Sequence, residues 1–110
     1  MSIPHLTANT FREAVEAPGL TLIEFSAPWC PPCKALLPIL EELSREEEAA
    51  SIYQVNVDDH PELASEFGVM GMPTVFLFRA GEPLEKLVGF RPKPVYEAVI
   101  RKHESVRTVS

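Results

Sequence analysis

The chain has 110 residues, 45% of them hydrophobic, which suits a single domain with a real core and excludes a disordered chain. Sixteen acidic against ten basic residues leave a net charge of −6, which argues against a nucleic-acid-binding surface or an anchor for anionic membranes. No apolar run is long enough to span a bilayer. The segment Met1-Ser2-Ile3-Pro4-His5-Leu6 has neither the basic stretch nor the apolar run of a secretory leader, so the cytoplasm is the expected compartment.

In chain order, Asn9 is placed to cap a short helix through Phe11, Ala14 and Val15, which Pro18-Gly19 ends. Thr21 to Ser26 reads as a strand. A long helix follows, opened by Pro31-Pro32 and running from Lys34 to about Glu48, with Leu36, Leu37, Ile39, Leu40 and Leu43 at helical spacing. Pro38 lies inside it and is expected to kink it. Ser51 to Val57 reads as a second strand and His60 to Phe67 as a short helix stopped by Gly68, which completes a β-α-β unit. Thr74 to Phe78 and Leu84 to Val88 form an antiparallel hairpin about the turn Arg79-Ala80-Gly81-Glu82-Pro83. Pro94 to about Glu104 is a closing amphipathic helix, and Val106 to Ser110 is expected to fray. The sum is one α/β domain over residues 1–110, a central mixed sheet with helices on both faces. Neither repeats nor linkers divide it.

Both cysteines fall in Trp29-Cys30-Pro31-Pro32-Cys33-Lys34, where the first strand hands over to the long helix. A Cys-x-x-Cys at such a junction reads as a redox motif, because the pair can close into a disulfide and reopen, carrying two electrons. The helix start favours a thiolate through its unpaired N–H groups and dipole, and the thiolate is the nucleophile of disulfide exchange. Cys30 is therefore expected to be the exposed, attacking sulfur and Cys33 the one that resolves the mixed disulfide. A structural zinc site needs more ligands than two cysteines, and His5, His60 and His103 are scattered, so no metal site is expected. The run Arg45-Glu46-Glu47-Glu48 reads as a solvated helix end, and Asp58-Asp59 as a strand end passing into a helix start. Glu24 stands inside the apolar Leu22-Ile23-Glu24-Phe25, where desolvation would raise its pKa toward neutrality and fit it for proton exchange.

Taken together, these residues resemble the thioredoxin family over about residues 5 to 104. The matching features are Glu24, Trp29 to Lys34, Pro38, Val55-Asn56-Val57-Asp58, Gly71-Met72-Pro73-Thr74, Gly81 and Gly89. The resemblance implies the thioredoxin fold and a dithiol–disulfide oxidoreductase that reduces protein disulfides, with Glu24 beneath the second cysteine as the base for Cys33. It implies that Gln54 stands where the family often has a lysine, that Pro73 is a cis-proline, and that Trp29, Gly71, Met72, Gly89 and Phe90 form an apolar rim around Cys30. Pro31 departs from the family's usual glycine. The loss of its N–H would weaken thiolate stabilisation and favour the disulfide, whereas a stiffer ring would strain the disulfide and push the potential the other way. Phe90, where a smaller residue is usual, would bias the choice of partner, and Ser26 replaces a common aromatic. No bound cofactor is implied beyond the redox-active disulfide. Electrons would come from NADPH through a flavoprotein thioredoxin reductase, and disulfide-containing proteins would be the other partners of a monomer. Two other readings are a thiol oxidoreductase dedicated to one partner, such as a peroxidase or maturation enzyme, and a non-catalytic binding module on the same scaffold.

Overall fold

A computed structural model describes residues 3–106. Helix α1 (Ala8–Glu16) leads into strand β1 (Leu20–Ser26), and α2 (Pro31–Glu46) crosses over to β2 (Ala50–Asn56). Helix α3 (Pro61–Glu66) precedes the hairpin β3 (Thr74–Arg79) and β4 (Glu82–Val88), and α4 (Lys93–Val106) closes the chain. The strands form one sheet in the order β2-β1-β3-β4. Strand β1 is parallel to β2, as a helical crossover requires, and antiparallel to β3, which pairs antiparallel with β4.

Every residue of β1 is buried, which marks it as a central strand covered on both faces. Its side chains alternate between two packed layers. Leu20 and Leu22 meet Leu36, Leu40 and Leu43 of α2 and Tyr96 and Ile100 of α4. Ile23 and Phe25 meet Phe11 and Val15 of α1 and Leu63 of α3. The second layer is aromatic: Phe11, Phe25, Phe67, Phe76 and Phe78 contact one another with ring centroids 5.3 to 6.2 Å apart, mostly edge to face. Glu24 alternates with Phe25 and so belongs to the aliphatic layer beneath α2 and α4.

The expected elements are all present, with local differences. Thr7, not Asn9, caps α1: Thr10 N–H donates to Thr7 Oγ1 at 3.3 Å and Thr7 N–H to Thr10 Oγ1 at 2.7 Å, a reciprocal box that leaves Asn9 inside the first turn. The hairpin turn is tighter than expected. Ala80 and Gly81 both have positive φ (51° and 85°), the requirement of a two-residue turn that follows strand twist, so Glu82 and Pro83 join β4. Ala80 N–H and Gly81 N–H donate to the Ala17 and Val15 carbonyls, tying that turn to the end of α1. Val106 is the last residue of α4, and the rest of the stretch expected to fray, residues 107–110, lies outside the described residues. Nor is the acidic run simply solvated. Lys93 of α4 pairs with Glu42 at 2.9 Å and Glu46 at 2.6 Å, and Arg101 pairs with Glu47, whose side chain is 5% exposed. Glu46 and Glu47 tie the end of α2 to α4, while Arg45 and Glu48 are exposed as expected.

Candidate active site: a disulfide at a helix N-terminus

Cys30 and Cys33 are joined as a disulfide, with Cα atoms 5.3 Å apart. Cys30 is the N-cap of α2, in extended conformation, and its Sγ accepts the Cys33 N–H at 3.3 Å. Pro31 and Pro32 occupy the first two helical positions and supply no N–H. A cap side chain normally draws on the second and third helical amides, so the donor missing from the cap is that of Pro32. The N–H lost at Pro31 belongs to the first position, and its loss weakens the cap less than the sequence suggested. The expectation that Cys30 is exposed is corrected: each cysteine is 4% exposed. Val57, after β2, and Met72 pack against Ala27, Cys30 and Cys33 and cover both sulfurs. Cap position, not exposure, distinguishes Cys30.

Glu24 is fully buried between its register partners Gln54 and Val75. Burial pushes its carboxyl up from the ordinary 4.5 to about 7, against the opposing pull of a 2.7 Å hydrogen bond that Gln54 Nε2 donates to Oε1. A cavity of about 250 Å³ is lined by Cys33, Lys34, Gln54, Ser26, Asn56 and His5. Cys33 and Gln54, the residue that holds Glu24, both line it. Lys34 itself is exposed on α2.

On the other side of the disulfide, the Met72–Pro73 bond is cis. Thr74 Oγ1 donates to the Gly71 carbonyl at 2.5 Å, and Gly89 N–H donates to the Pro73 carbonyl at 2.8 Å. Gly89 has φ +89°, a conformation side-chain-bearing residues rarely adopt, and the chain turns there into Phe90. Met72 packs against the cysteines, and the Gly89 turn is tied to Pro73 beside it. Among the described residues, the exposed large hydrophobic side chains are Trp29, Met70, Val88 and Phe90, all on the segments around residues 29, 70–73 and 88–90. Phe90 is 46% exposed and Met70 94%. Met70 and Met72 form the lip of an apolar groove of about 500 Å³ floored by Val57, Ala64 and Val69. Trp29 is held in place by its indole N–H, which donates to Asp58 Oδ2 at 3.0 Å.

Met70, Val88 and Asp58 escaped the sequence reading as members of this site. The Met-Gly-Met triplet was the available signal for Met70, whereas Asp58 looked like an ordinary helix start. Among the described residues no cluster of histidine, cysteine, aspartate and glutamate could hold a metal ion.

A parallel β-α-β unit with a disulfide capping its crossover helix, set against a cis-proline, defines a protein that works by thiol–disulfide exchange. The thioredoxin family model matches residues 2–102. A thioredoxin of Staphylococcus saprophyticus is 41% identical over 94% of this chain and 99% of its own length, and one of Staphylococcus aureus matches to the same extent. Among solved structures, a mutant thioredoxin from Halobacterium salinarum superposes with a TM-score of 0.86 at 31% identity, covering 94% of this chain and 91% of that one. The oxidised mitochondrial thioredoxin 3 of Saccharomyces cerevisiae gives 0.83 at 31% identity, covering 91% and 94%. The chain belongs to the thioredoxin family, and it is a protein dithiol–disulfide oxidoreductase.

Proposed function

We propose that the chain reduces disulfides in partner proteins in the cytoplasm and is itself recharged by NADPH through a flavoprotein thioredoxin reductase. The observation that supports this reading is that the exposed large apolar side chains among the described residues lie on the segments next to Cys30, around the cis-proline and at the end of β4. Trp29, Met70, Val88 and Phe90 offer an extended or partly unfolded chain contact area without a side-chain code. Met72 packs against the cysteines, so a chain pairing with its backbone would lie next to the sulfur that attacks it.

In the reduced protein the Cys30 thiolate attacks one sulfur of the substrate disulfide, expelling the other as a thiolate and forming a mixed disulfide. Glu24, ionised near neutral pH and held by Gln54, which lines the same cavity as Cys33, takes the Cys33 proton. The Cys33 thiolate then attacks Cys30 Sγ, releasing the substrate dithiol and restoring the Cys30–Cys33 disulfide. Two electrons from the reductase reopen it.

The test is a Cys33→Ser variant used to trap mixed disulfides, alongside insulin reduction by the unaltered protein. Many trapped partners, with turnover that Cys33→Ser abolishes, are expected. A single trapped partner would favour the dedicated oxidoreductase, the reading to which the exposed Phe90 and Met70 lend weight. Unimpaired turnover in Cys33→Ser would overturn the resolving role.

A further inference from the structure

Two buried side-chain oxygens, Glu24 Oε2 and Tyr96 Oη, have no hydrogen-bond partner among the described residues. Both residues are fully buried. Tyr96 lies one turn into α4, packed with Leu22, Leu36, Leu40 and Val75 in the aliphatic layer under α2 and α4. Glu24 enters that layer two residues beyond Leu22, beside Val75. Strand β4 ends level with the end of β1, through Val88 opposite Thr74 and Thr74 opposite Phe25, so the start of α4 returns over the depth at which Glu24 sits.

We propose that Tyr96 is a positioning residue for Glu24, its O–H donating to Glu24 Oε2 when the carboxyl ionises. An ionised carboxylate has more lone pairs than the single Gln54 amide can satisfy, and a buried phenol O–H without an acceptor is costly. Glu24 Oε1 is already engaged, Val75 offers no side-chain acceptor, and a phenylalanine would fill the same space. When Glu24 is neutral, its own O–H can donate to Tyr96 Oη; when ionised, the reversed bond is charge-assisted and stronger.

The groups facing the pair are few. Strand β2 contributes Gln54, β3 contributes Val75, α2 contributes Leu36 and Leu40, with Cys33 across the cavity, and Arg91 precedes α4. Lys34 and His5 line the cavity beside Gln54, and the Arg91 amide approaches Tyr96 Oη without completing a hydrogen bond. Burial, then the charge of Glu24, pushes the phenol up to about 12, so it keeps its proton and remains a donor throughout the working range.

This inference rests on Glu24 being the base for Cys33, and the test separates the two. Tyr96→Phe removes one oxygen and keeps the ring. Carbon NMR of labelled glutamate follows Glu24 directly, and insulin reduction against pH follows its use. The expected result is an upward move of the Glu24 titration by about one pKa unit. Turnover at a pH equal to the parent's own Glu24 pKa then falls about fivefold, because the ionised fraction there drops from about half to about a tenth. A Glu24 titration unmoved by Tyr96→Phe, or an equal stability change from Tyr96→Phe in the Glu24→Gln background, overturns the proposal. A moved titration with an unmoved rate profile supports the coupling of the two residues and overturns the base role instead.

Discussion

Replacing Glu24 by glutamine removes the ionisation and keeps the shape. A carboxyl whose native pKa lies above its unfolded value binds its proton more tightly in the folded protein. Its ionisation therefore costs stability: the protein is most stable below pH 4.5 in this respect and loses that advantage as pH rises through about 7. Moving from 4.5 to about 7, at about 1.4 kcal/mol per pKa unit, disfavours the ionised native state by roughly 3 kcal/mol. Glu24→Gln should be about as stable as the parent near pH 4 and roughly 3 kcal/mol more stable at pH 8.5, on the order of 10 °C in Tm for a domain of this size. Urea unfolding of the oxidised protein at several pH values measures the difference. Parallel stability curves for parent and variant would refute the argument, since they would mean that Glu24 ionises in the native state as readily as in water. The same substitution should depress insulin reduction near neutrality, so stability and activity move in opposite directions.

The cap geometry orders two proline substitutions. Pro32→Ala restores the second helical amide, aimed at Cys30 Sγ, and should lower the Cys30 thiol pKa by about one unit, since a hydrogen bond to a charged group is worth about 1.5–3 kcal/mol before solvent screening. Pro31→Gly restores only the first and should move it less; ultraviolet thiolate absorbance gives both values, and the reverse order would refute the cap assignment. In the aromatic layer, Phe11→Leu loses edge contacts with Phe25, Phe67 and Phe78 and should cost about 1–2 kcal/mol by urea denaturation. Because Glu24 lies on the opposite face of the sheet, that variant should leave its titration near 7; a displaced titration would mean the two layers are coupled.

The features legible in the sequence are those written locally. Leu22 to Phe25 and Thr74 to Phe78 are apolar runs flanked by turn residues, and the cysteine motif at a strand–helix junction places the disulfide without coordinates. The acid in the middle of β1 followed from the same locality, because a charge inside such a run must be buried or explained. What remained hidden depends on residues distant in sequence. The cover over Cys30 comes from Val57 and Met72. The Thr7–Thr10 box outcompetes Asn9 through reciprocal bonds that composition does not reveal. Glu47 looked solvated until α4 brought Arg101 to it. Tyr96 sits among aliphatic side chains on a helix face, where an aromatic reads as packing, and its hydroxyl gains meaning only from Glu24 on another element.

The outermost strands of the sheet, β2 and β4, bear on how this chain survives its own work. A protein that handles partly unfolded chains is exposed to segments seeking any unpaired backbone. The Gln54 N–H of β2 is taken by the Pro4 carbonyl and its carbonyl by the Leu6 N–H, so the amino-terminal segment shields part of that margin. Strand β4 contains Pro83, which has no N–H to give, along with Glu82, Glu85 and Lys86, and it pairs with β3 through an irregularity at Leu77/Phe78. Charge, proline and bulge are the devices by which sheets resist adding strands, and with them the growth of fibrillar aggregates. Under the proposed function, an extended partner chain therefore meets sheet margins that resist adding a strand.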